Sequence, residues 1–177
     1  SGRLESGIKT RIDEHTPIII EGIHALNDKL SFAIPVHQKY KIYIAPQFAL
    51  NLDGDNPISL TDLRLLRRIV RDRQFRATDA EKTIEMWSSV RRGEFEWIYP
   101  FQEGCNFVFN SSLAYELCVI KKYAMPALAK IQSDSPYYIT ANRLMKNLKY
   151  FKDIEDEVVP CNSLLREFIG GSCFKDV

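Results

Sequence analysis

The stretch LRLLRRIVRDRQFR, residues 63–76, decides the expected fold because it carries two different helical faces. Six arginines and a single acid fall within these fourteen residues, although the whole chain has a formal net charge of only +1. Apolar residues form one row and arginines another, each with intervals of one to four residues that place its members on one face of a helix. The apolar row is Leu63, Leu66 and Val70, and the arginine row is Arg64, Arg67, Arg68 and Arg71. We therefore expect a helix that packs inward along one side and is strongly cationic along another.

Capping signals around this stretch predict two consecutive helices. Each signal pairs a serine or threonine with an acid three residues later, which is the pattern of a capping box. The two boxes are Ser59 with Asp62 and Thr78 with Glu81. The second helix is expected over about residues 79–92, ending at Gly93, which can adopt the left-handed C-terminal conformation.

The break between the two helices, around residues 75–77, has arginines on both sides. Arg71, Arg73 and Arg76 could clamp a phosphate there, because a guanidinium pairs bidentately with phosphate oxygens and keeps its proton. The alternative is a solvated helix face whose arginines pair with nearby acids. The spacing alone leaves both interpretations open.

The composition is that of an ordinary globular protein. The chain has 177 residues, 45% of them apolar and 27% charged, which suits one substantial domain with an appendage. No run approaches the roughly 18 apolar residues that span a bilayer, and residues 1–10 do not resemble a secretory signal. The four cysteines contain no C-x-x-C pair, so neither a zinc site nor a dense disulfide framework is indicated. We expect a soluble, cytoplasmic protein with reduced thiols and no membrane partner.

Three short apolar runs predict strands, with helical patterns between them. Residues 17–23 (PIIIEGI) are typical of a strand buried on both faces of a parallel sheet. Residues 40–45 (YKIYIA) and 106–109 (NFVF) are the other two candidates, and a helical pattern with Pro126 inside it follows over residues 113–131. This alternation predicts an α/β fold with a parallel sheet.

The pattern changes after Ser133. A further helix is expected around residues 136–148, followed by the acidic stretch KDIEDE and a short helix between Pro160 and Gly170. We interpret residues 133–177 as a helical extension packed on the α/β part. The run FIGGS could approach a ligand through its glycines, or it could simply terminate the helix.

Glu21 follows an apolar run directly, at the kind of sheet edge where α/β proteins place ligands. A carboxylate there could hold Mg²⁺ directly or through water, or it could only cap the next turn. A phosphate-binding G-x-x-x-x-G-K-[ST] loop is not found. Residues 2–10 (GRLESGIKT) come close, but Ile8 intrudes before Lys9.

Taken together, five motifs in order resemble the uridine kinase and phosphoribulokinase family of P-loop kinases. They are similar above all to a bacterial group of uridine kinase-like proteins with a helical C-terminal extension. The motifs are EGIHALN, RRIVRD, MWSSVRRGE, FNSSLAYEL and LLREFIGGS, which begin at residues 21, 67, 86, 109 and 164. The resemblance covers about residues 17–177.

The resemblance implies roles for individual residues. Glu21 would help to hold Mg²⁺, Arg71 would meet the ATP phosphates, and Arg76 would lie near the transferred phosphate. The preceding pair, Arg67 and Arg68, would also contact ATP. These assignments imply phosphoryl transfer from ATP, in which positioning and charge neutralisation supply most of the catalysis.

Three departures from the family pattern qualify this expectation. Thr78 stands where the lid has a further arginine, and Met86 and Trp87 stand where a Gln-Tyr pair lies near the nucleoside. The P-loop portion and the catalytic aspartate would precede residue 1, so the chain is expected to be either a fragment of a longer kinase or a relative that has lost the catalytic front half. We therefore expect an incomplete P-loop NTPase-type sheet, with a linker over 1–16, the later part of a kinase domain over 17–132, a lid over 58–92 and the extension over 133–177.

The expected partners follow from this organisation. They are the N-terminal P-loop portion of the same protein and a small nucleoside-like acceptor, and the isolated chain is expected to be inactive. The alternative is a noncatalytic module whose arginine helix binds nucleic acid or an acidic protein. A pI of about 7.6 argues against nucleic acid. The C-terminal helices could also form a homo-oligomer.

Overall fold

A computed structural model describes residues 11, 13–47 and 50–174, and these form a mixed α/β structure. The elements in chain order are β1 (Ile42–Ala45), α1 (Leu60–Phe75), α2 (Ala80–Trp97), β2 (Phe107–Asn110), α3 (Glu116–Leu128), α4 (Tyr138–Leu148) and α5 (Arg166–Ile169). Short 3-10 turns occur at Asp28–Leu30, Val36–Gln38, Tyr99–Phe101 and Asp156–Val158. Most of the expected linker, and the near-match to a phosphate loop at residues 2–10, lie outside the described residues.

β1 and β2 pair in parallel and form a small two-stranded sheet. The register runs from Ile42 opposite Phe107 to Ala45 opposite Asn110. Two of the three predicted strands and their parallel pairing are thus confirmed. Parallel sheets are normally covered on both faces. Here the side chains of Ile44 and Phe109 are nevertheless 64% and 49% exposed.

The arginine-rich helix α1 lies at the centre of the hydrophobic core. Its apolar side packs against α2, α3 and α5, and Leu65, Leu66, Ile69 and Val70 on it are almost completely buried. Burying one such side chain stabilises the fold by about 1.5–3 kcal/mol before entropy is counted. The predicted apolar face of this helix is confirmed, including the burial of Leu63.

The caps of the two central helices differ in part from expectation. Ser59 caps α1 by accepting a hydrogen bond from the Thr61 amide at 3.2 Å, as the sequence suggested. α2 is capped by Asp79, whose Oδ1 accepts from the Lys82 amide at 2.7 Å. The expected cap, Thr78, instead donates its hydroxyl to the carbonyl of Arg76.

The predicted end of α2 at Gly93 is wrong. The helix continues through this glycine to Trp97. Glu94, the next residue, is buried and ion-paired with Arg64 and Arg91, so tertiary contacts hold the last turn in place. The physical reason is that packing outweighs the cost of about 1 kcal/mol for a glycine in a helix.

The third predicted strand, residues 17–23, is also wrong. The segment has no regular secondary structure, and Ile18, Ile19 and Ile20 are 62%, 88% and 63% exposed. None of the described residues pairs with it as a neighbouring strand. A strand draws its stability from a ladder of hydrogen bonds and from covered faces, so this apolar run cannot hold a strand conformation alone.

The helices after β2 confirm the expected C-terminal elements. α4 packs on α3, and α5 packs on α1, with Leu144, Leu148 and Leu165 fully buried between them. After α5, Gly170 and Gly171 have φ angles of 90° and 75°, which glycine adopts readily and other residues rarely do. No helix in the described part of the chain is long and apolar enough to cross a membrane.

Candidate functional site

Three arginines surround one buried carboxylate at the end of α1. Arg68 Nε lies 3.2 Å from Asp72 Oδ2, and Arg76 Nη1 lies 3.2 Å from Asp72 Oδ1. Arg71 Nε lies 3.7 Å from the same Oδ1. The α1 helix ends here because the backbone turns at Ala77, which has a φ of 49°. We call Arg68, Arg71, Asp72 and Arg76 the arginine cluster.

The backbone of Asp72 also closes the end of the helix. Its carbonyl accepts hydrogen bonds from the amides of Arg76 and Thr78 at 3.0 and 3.1 Å. Asp72 is almost completely buried, and its side chain lies among the arginines that flank the break. The sequence predicted that Arg71, Arg73 and Arg76 would gather at this break. The structure brings Arg71 and Arg76 together there, whereas Arg73 donates a hydrogen bond to the Tyr123 carbonyl at 3.3 Å.

The arginine cluster carries more positive than negative charge. Glu167 of α5 is a second acid that attracts Arg71, but the cations still outnumber the acids. Desolvation and then the neighbouring Arg76 lower the pKa of Arg71, while Asp72 and Glu167 raise it. The surroundings of Arg71 therefore oppose its charge, and an added anion would relieve that opposition.

Two guanidinium N–H groups in the cluster are buried without a hydrogen-bond acceptor. They are Nε of Arg68 and Nε of Arg71. The first is close to Asp72, so the two form an ion pair by distance, but the angle does not allow a directed hydrogen bond. Unsatisfied buried donors are uncommon in native proteins. Small rotations of these side chains toward a phosphate oxygen would supply the acceptor.

The expected contact between Arg67 and ATP is corrected by the structure, because the Arg67 side chain is engaged inside the protein. Its guanidinium is buried and forms a bidentate ion pair with Glu116 of α3, with Nε–Oε2 at 2.6 Å and Nη2–Oε1 at 3.0 Å. Nη2 also donates to the Ser111 carbonyl at 2.7 Å, and the ring of Phe168 lies 5.2 Å away. Arg67 is thus a structural link between α1, α3 and α5.

Arg64 is likewise held inside the protein. It pairs with the buried Glu94 of α2, which also pairs with Arg91. The hydroxyl of Tyr99 accepts hydrogen bonds from Arg64 at 3.3 Å and from Arg91 at 2.8 Å. The predicted arginine row is therefore divided: its first half holds the helices together, and its second half forms the arginine cluster.

The other predicted site residues, Glu21, Met86 and Trp87, lie outside the arginine cluster. Glu21 is exposed in the irregular segment before the first 3-10 turn. Met86 and Trp87 lie in the middle of α2 and are half-buried, with Trp87 packed on the hydrophobic core. Among the described residues, no hydrogen bond or ion pair connects these three with Arg68, Arg71 or Arg76.

Sequence reasoning missed a second polar network between α3 and the acidic stretch. Lys122 pairs with Glu155 at 2.9 Å and with Asp156, and the Tyr123 hydroxyl donates to Asp156 Oδ2 at 2.6 Å. Hydrogen bonds from Lys122 and then Tyr123 lower the pKa of Asp156 to about 2. The only sequence signal was charge complementarity between Lys121–Lys122 and the acidic stretch, which are more than thirty residues apart.

The acidic stretch also contains the one group of three acids in the described residues that are close enough to share a metal ion, Glu155, Asp156 and Glu157. Glu21 does not belong to it. Asp156 is already occupied by Lys122 and Tyr123, so the group is better explained by its lysine partners than by a metal.

Comparisons of the chain with protein-family models, with curated proteins and with solved structures found no match.

Proposed function

We propose that this chain is the later part of an ATP-dependent cytoplasmic kinase that transfers the γ-phosphate to a hydroxyl of a nucleoside-like molecule. The observation that carries the proposal is the arginine cluster, in which three guanidiniums share one buried carboxylate. Phosphoryl transfer needs positive charge placed around the oxygens of the transferred group. Arg71 and Arg76 would act on those oxygens, and Arg68 would bind the polyphosphate.

The exposed sheet supports the second part of the proposal, a P-loop portion that completes the fold. β1 and β2 expose large apolar side chains on a parallel sheet, and the apolar run at residues 18–20 lies uncovered as well. Such surfaces normally face other strands and helices. A P-loop portion would cover them and would supply the backbone donors for the β-phosphate that the cluster lacks.

The described residues fit the phosphates of ATP better than its magnesium ion. The arginine cluster has the charge for a polyphosphate. Glu21 offers one carboxylate and stands outside the described acidic group, which suits Mg²⁺ only if phosphate oxygens and water complete the octahedron. When bound, the ion would neutralise phosphate charge. Glu21 would hold the ion, and Met86 and Trp87 would face the nucleoside-like acceptor.

Titration calorimetry with tripolyphosphate tests the anion site directly. The 177-residue chain should bind it weakly and in a salt-sensitive way. The double variant Arg68→Ala/Arg71→Ala should lose about tenfold or more in affinity, because each charged hydrogen bond contributes about 1.5–3 kcal/mol. Arg92→Ala, an exposed arginine on α2, removes the same type of charge and should change little. Equal losses in both variants would reject the site.

The kinase assignment has its own test. A coupled ADP assay across nucleosides should show no turnover by this chain alone. The coding sequence upstream of Ser1 should contain a strand followed by an intact G-x-x-x-x-G-K-[ST] loop, and protein that includes it should phosphorylate a nucleoside. An upstream sequence without this loop would remove the kinase proposal and leave the anion site standing.

The arginine cluster also supports a second candidate, a noncatalytic module that docks on an acidic partner. Three arginines at one helix end need no second domain to attract an anion. Affinities measured for RNA, DNA and an acidic peptide over a series of salt concentrations separate a nucleic-acid partner from a protein partner. Binding to a nucleic acid that neutralises several phosphates weakens steeply as the salt concentration rises.

A further inference from the structure

Cys161 and Cys173 are separated in the sequence by the short helix α5 and its flanking turns, but they are neighbours in the structure. The backbone amide of Cys173 donates a hydrogen bond to the carbonyl of Cys161 at 2.9 Å. Both thiols are free, and both residues are exposed. The other two cysteines, Cys105 and Cys118, are partly covered and lie elsewhere in the chain.

The backbone contact brings the two residues to a separation that suits a disulfide. A backbone hydrogen bond of 2.9 Å holds Cys161 and Cys173 close together, and disulfides span Cα separations of about 4.4–6.8 Å. Desolvation and then a hydrogen bond with the Cys161 side chain raise the pKa of the Cys173 thiol. The two cysteines are therefore neighbours on an accessible surface.

We propose that Cys161 and Cys173 form a reversible intramolecular disulfide, with glutathione disulfide as the oxidant. One protein thiolate attacks a sulfur of glutathione disulfide, which breaks that S–S bond and releases one glutathione. The second cysteine gives up its proton and attacks the protein sulfur of the mixed disulfide, which releases the second glutathione. Two protein thiols are oxidised and one glutathione disulfide is reduced to two thiols.

The bond would fasten the segment that carries α5. Phe168 and Ile169 of this helix are buried against the core, and the Ile169 carbonyl accepts a hydrogen bond from Gln74 of α1 at 3.5 Å. Arg166 donates to the Asp156 carbonyl at 2.7 Å. Closing residues 161–173 into a loop restricts the unfolded chain and leaves these native contacts in place. The proposed disulfide does not depend on anion binding at the arginine cluster.

Equilibration of the full chain in glutathione redox buffers, followed by intact mass and non-reducing peptide mapping, tests the proposal. We expect the loss of two hydrogens, a single cross-linked peptide pair containing Cys161 and Cys173, and no glutathione left on either residue. The oxidised protein should melt about 5 °C or more above the reduced one. Added dithiothreitol should reverse both effects.

Serine variants separate this bond from general thiol oxidation. Cys161→Ser and Cys173→Ser should each stop at a glutathione adduct on the remaining partner and show no rise in Tm. Cys105→Ser should still form the cross-link. Persistent adducts on both cysteines of the wild-type chain, a cross-link to Cys105 or Cys118, or a cross-link between two chains would overturn the proposal.

Discussion

Asp72 is the residue that balances the arginine cluster, so its removal should separate stability from anion affinity. Asp72→Asn keeps the shape but takes one negative charge from among three guanidiniums. We expect the free energy of unfolding to fall by about 1–3 kcal/mol, because the partly buried Arg68 and Arg71 lose their shared carboxylate. The affinity for tripolyphosphate should increase in the same variant, because the cluster then carries more net positive charge.

Urea unfolding and titration calorimetry measure the two effects. Glu96→Gln, an exposed acid on α2, is the matched control and should leave both unchanged. Tripolyphosphate binding that weakens in Asp72→Asn would show that the anion does not meet the cluster.

Arg67 and Glu116 should behave as a structural pair. Arg67→Met leaves the buried carboxylate of Glu116 without its partner and should cost about 3–5 kcal/mol of folding free energy. The double variant Arg67→Met/Glu116→Leu should recover much of that loss, because two apolar side chains can replace a buried ion pair. Urea denaturation of the two variants checks this, and a double variant no more stable than Arg67→Met would contradict it.

Asp156 should make the protein sensitive to acid. Its pKa is lowered from the ordinary value of 3.8 to about 2, so its ionised form contributes stability above pH 4 that is lost as pH falls toward 2. Asp156→Asn should show a flatter dependence of unfolding free energy over that window. Asp134→Asn, an exposed residue, should keep the wild-type slope, and equal slopes in both variants would refute the assignment.

At the residue scale, the sequence was informative about Arg71 and Arg76 because helical spacing and the break bring them together locally. Arg73, which was expected beside them, instead donates a hydrogen bond to the Tyr123 carbonyl of α3. The sequence could not separate Arg67 from the others, since an arginine in a cationic row gives no sign of burial. Its partner Glu116 is 49 residues away. That pairing depends on how α3 packs on α1, which is a tertiary fact.

At the scale of elements, two glycines should respond in opposite directions to the same substitution. Gly93 lies inside α2, and a Cβ there meets nothing within 4 Å, so Gly93→Ala should stabilise the protein by about 1 kcal/mol. Gly170 ends α5 with a φ of 90°, and Gly170→Ala should destabilise it by about 1–2 kcal/mol. Thermal melts compare the pair, and two changes of the same sign would contradict the prediction.

Helices were easier to predict than strands in this chain for a physical reason. The hydrogen bonds of α1 and α4 close within each helix, so periodicity and caps carry most of the information. The run at residues 17–23 has the composition of a strand but lacks neighbouring strands among the described residues. The end of α2 escaped prediction because Glu94 is held by Arg64 and Arg91 from outside the local sequence.

At the scale of the whole molecule, the small sheet exposes several large apolar side chains. Ile44 and Phe109 are 64% and 49% exposed beside other large apolar residues. We expect concentration-dependent self-association of the chain by light scattering, and Ile44→Lys or Phe109→Lys should suppress it without lowering Tm. Ile139→Lys removes an apolar residue that is 81% exposed on α4 and should have no such effect. Association that persists in both sheet variants would place the interface elsewhere, for example on the C-terminal helices.

The position of α1 limits how this protein can evolve. One side of the helix fills the core, and its last turn holds the arginine cluster. A substitution that rotates or shifts the helix to suit another ligand would at the same time misalign Leu65, Leu66 and Ile69. New specificity is therefore more accessible through changes outside this helix, and laboratory selection for a different anion should accumulate mutations in α2 and the loops before it touches α1.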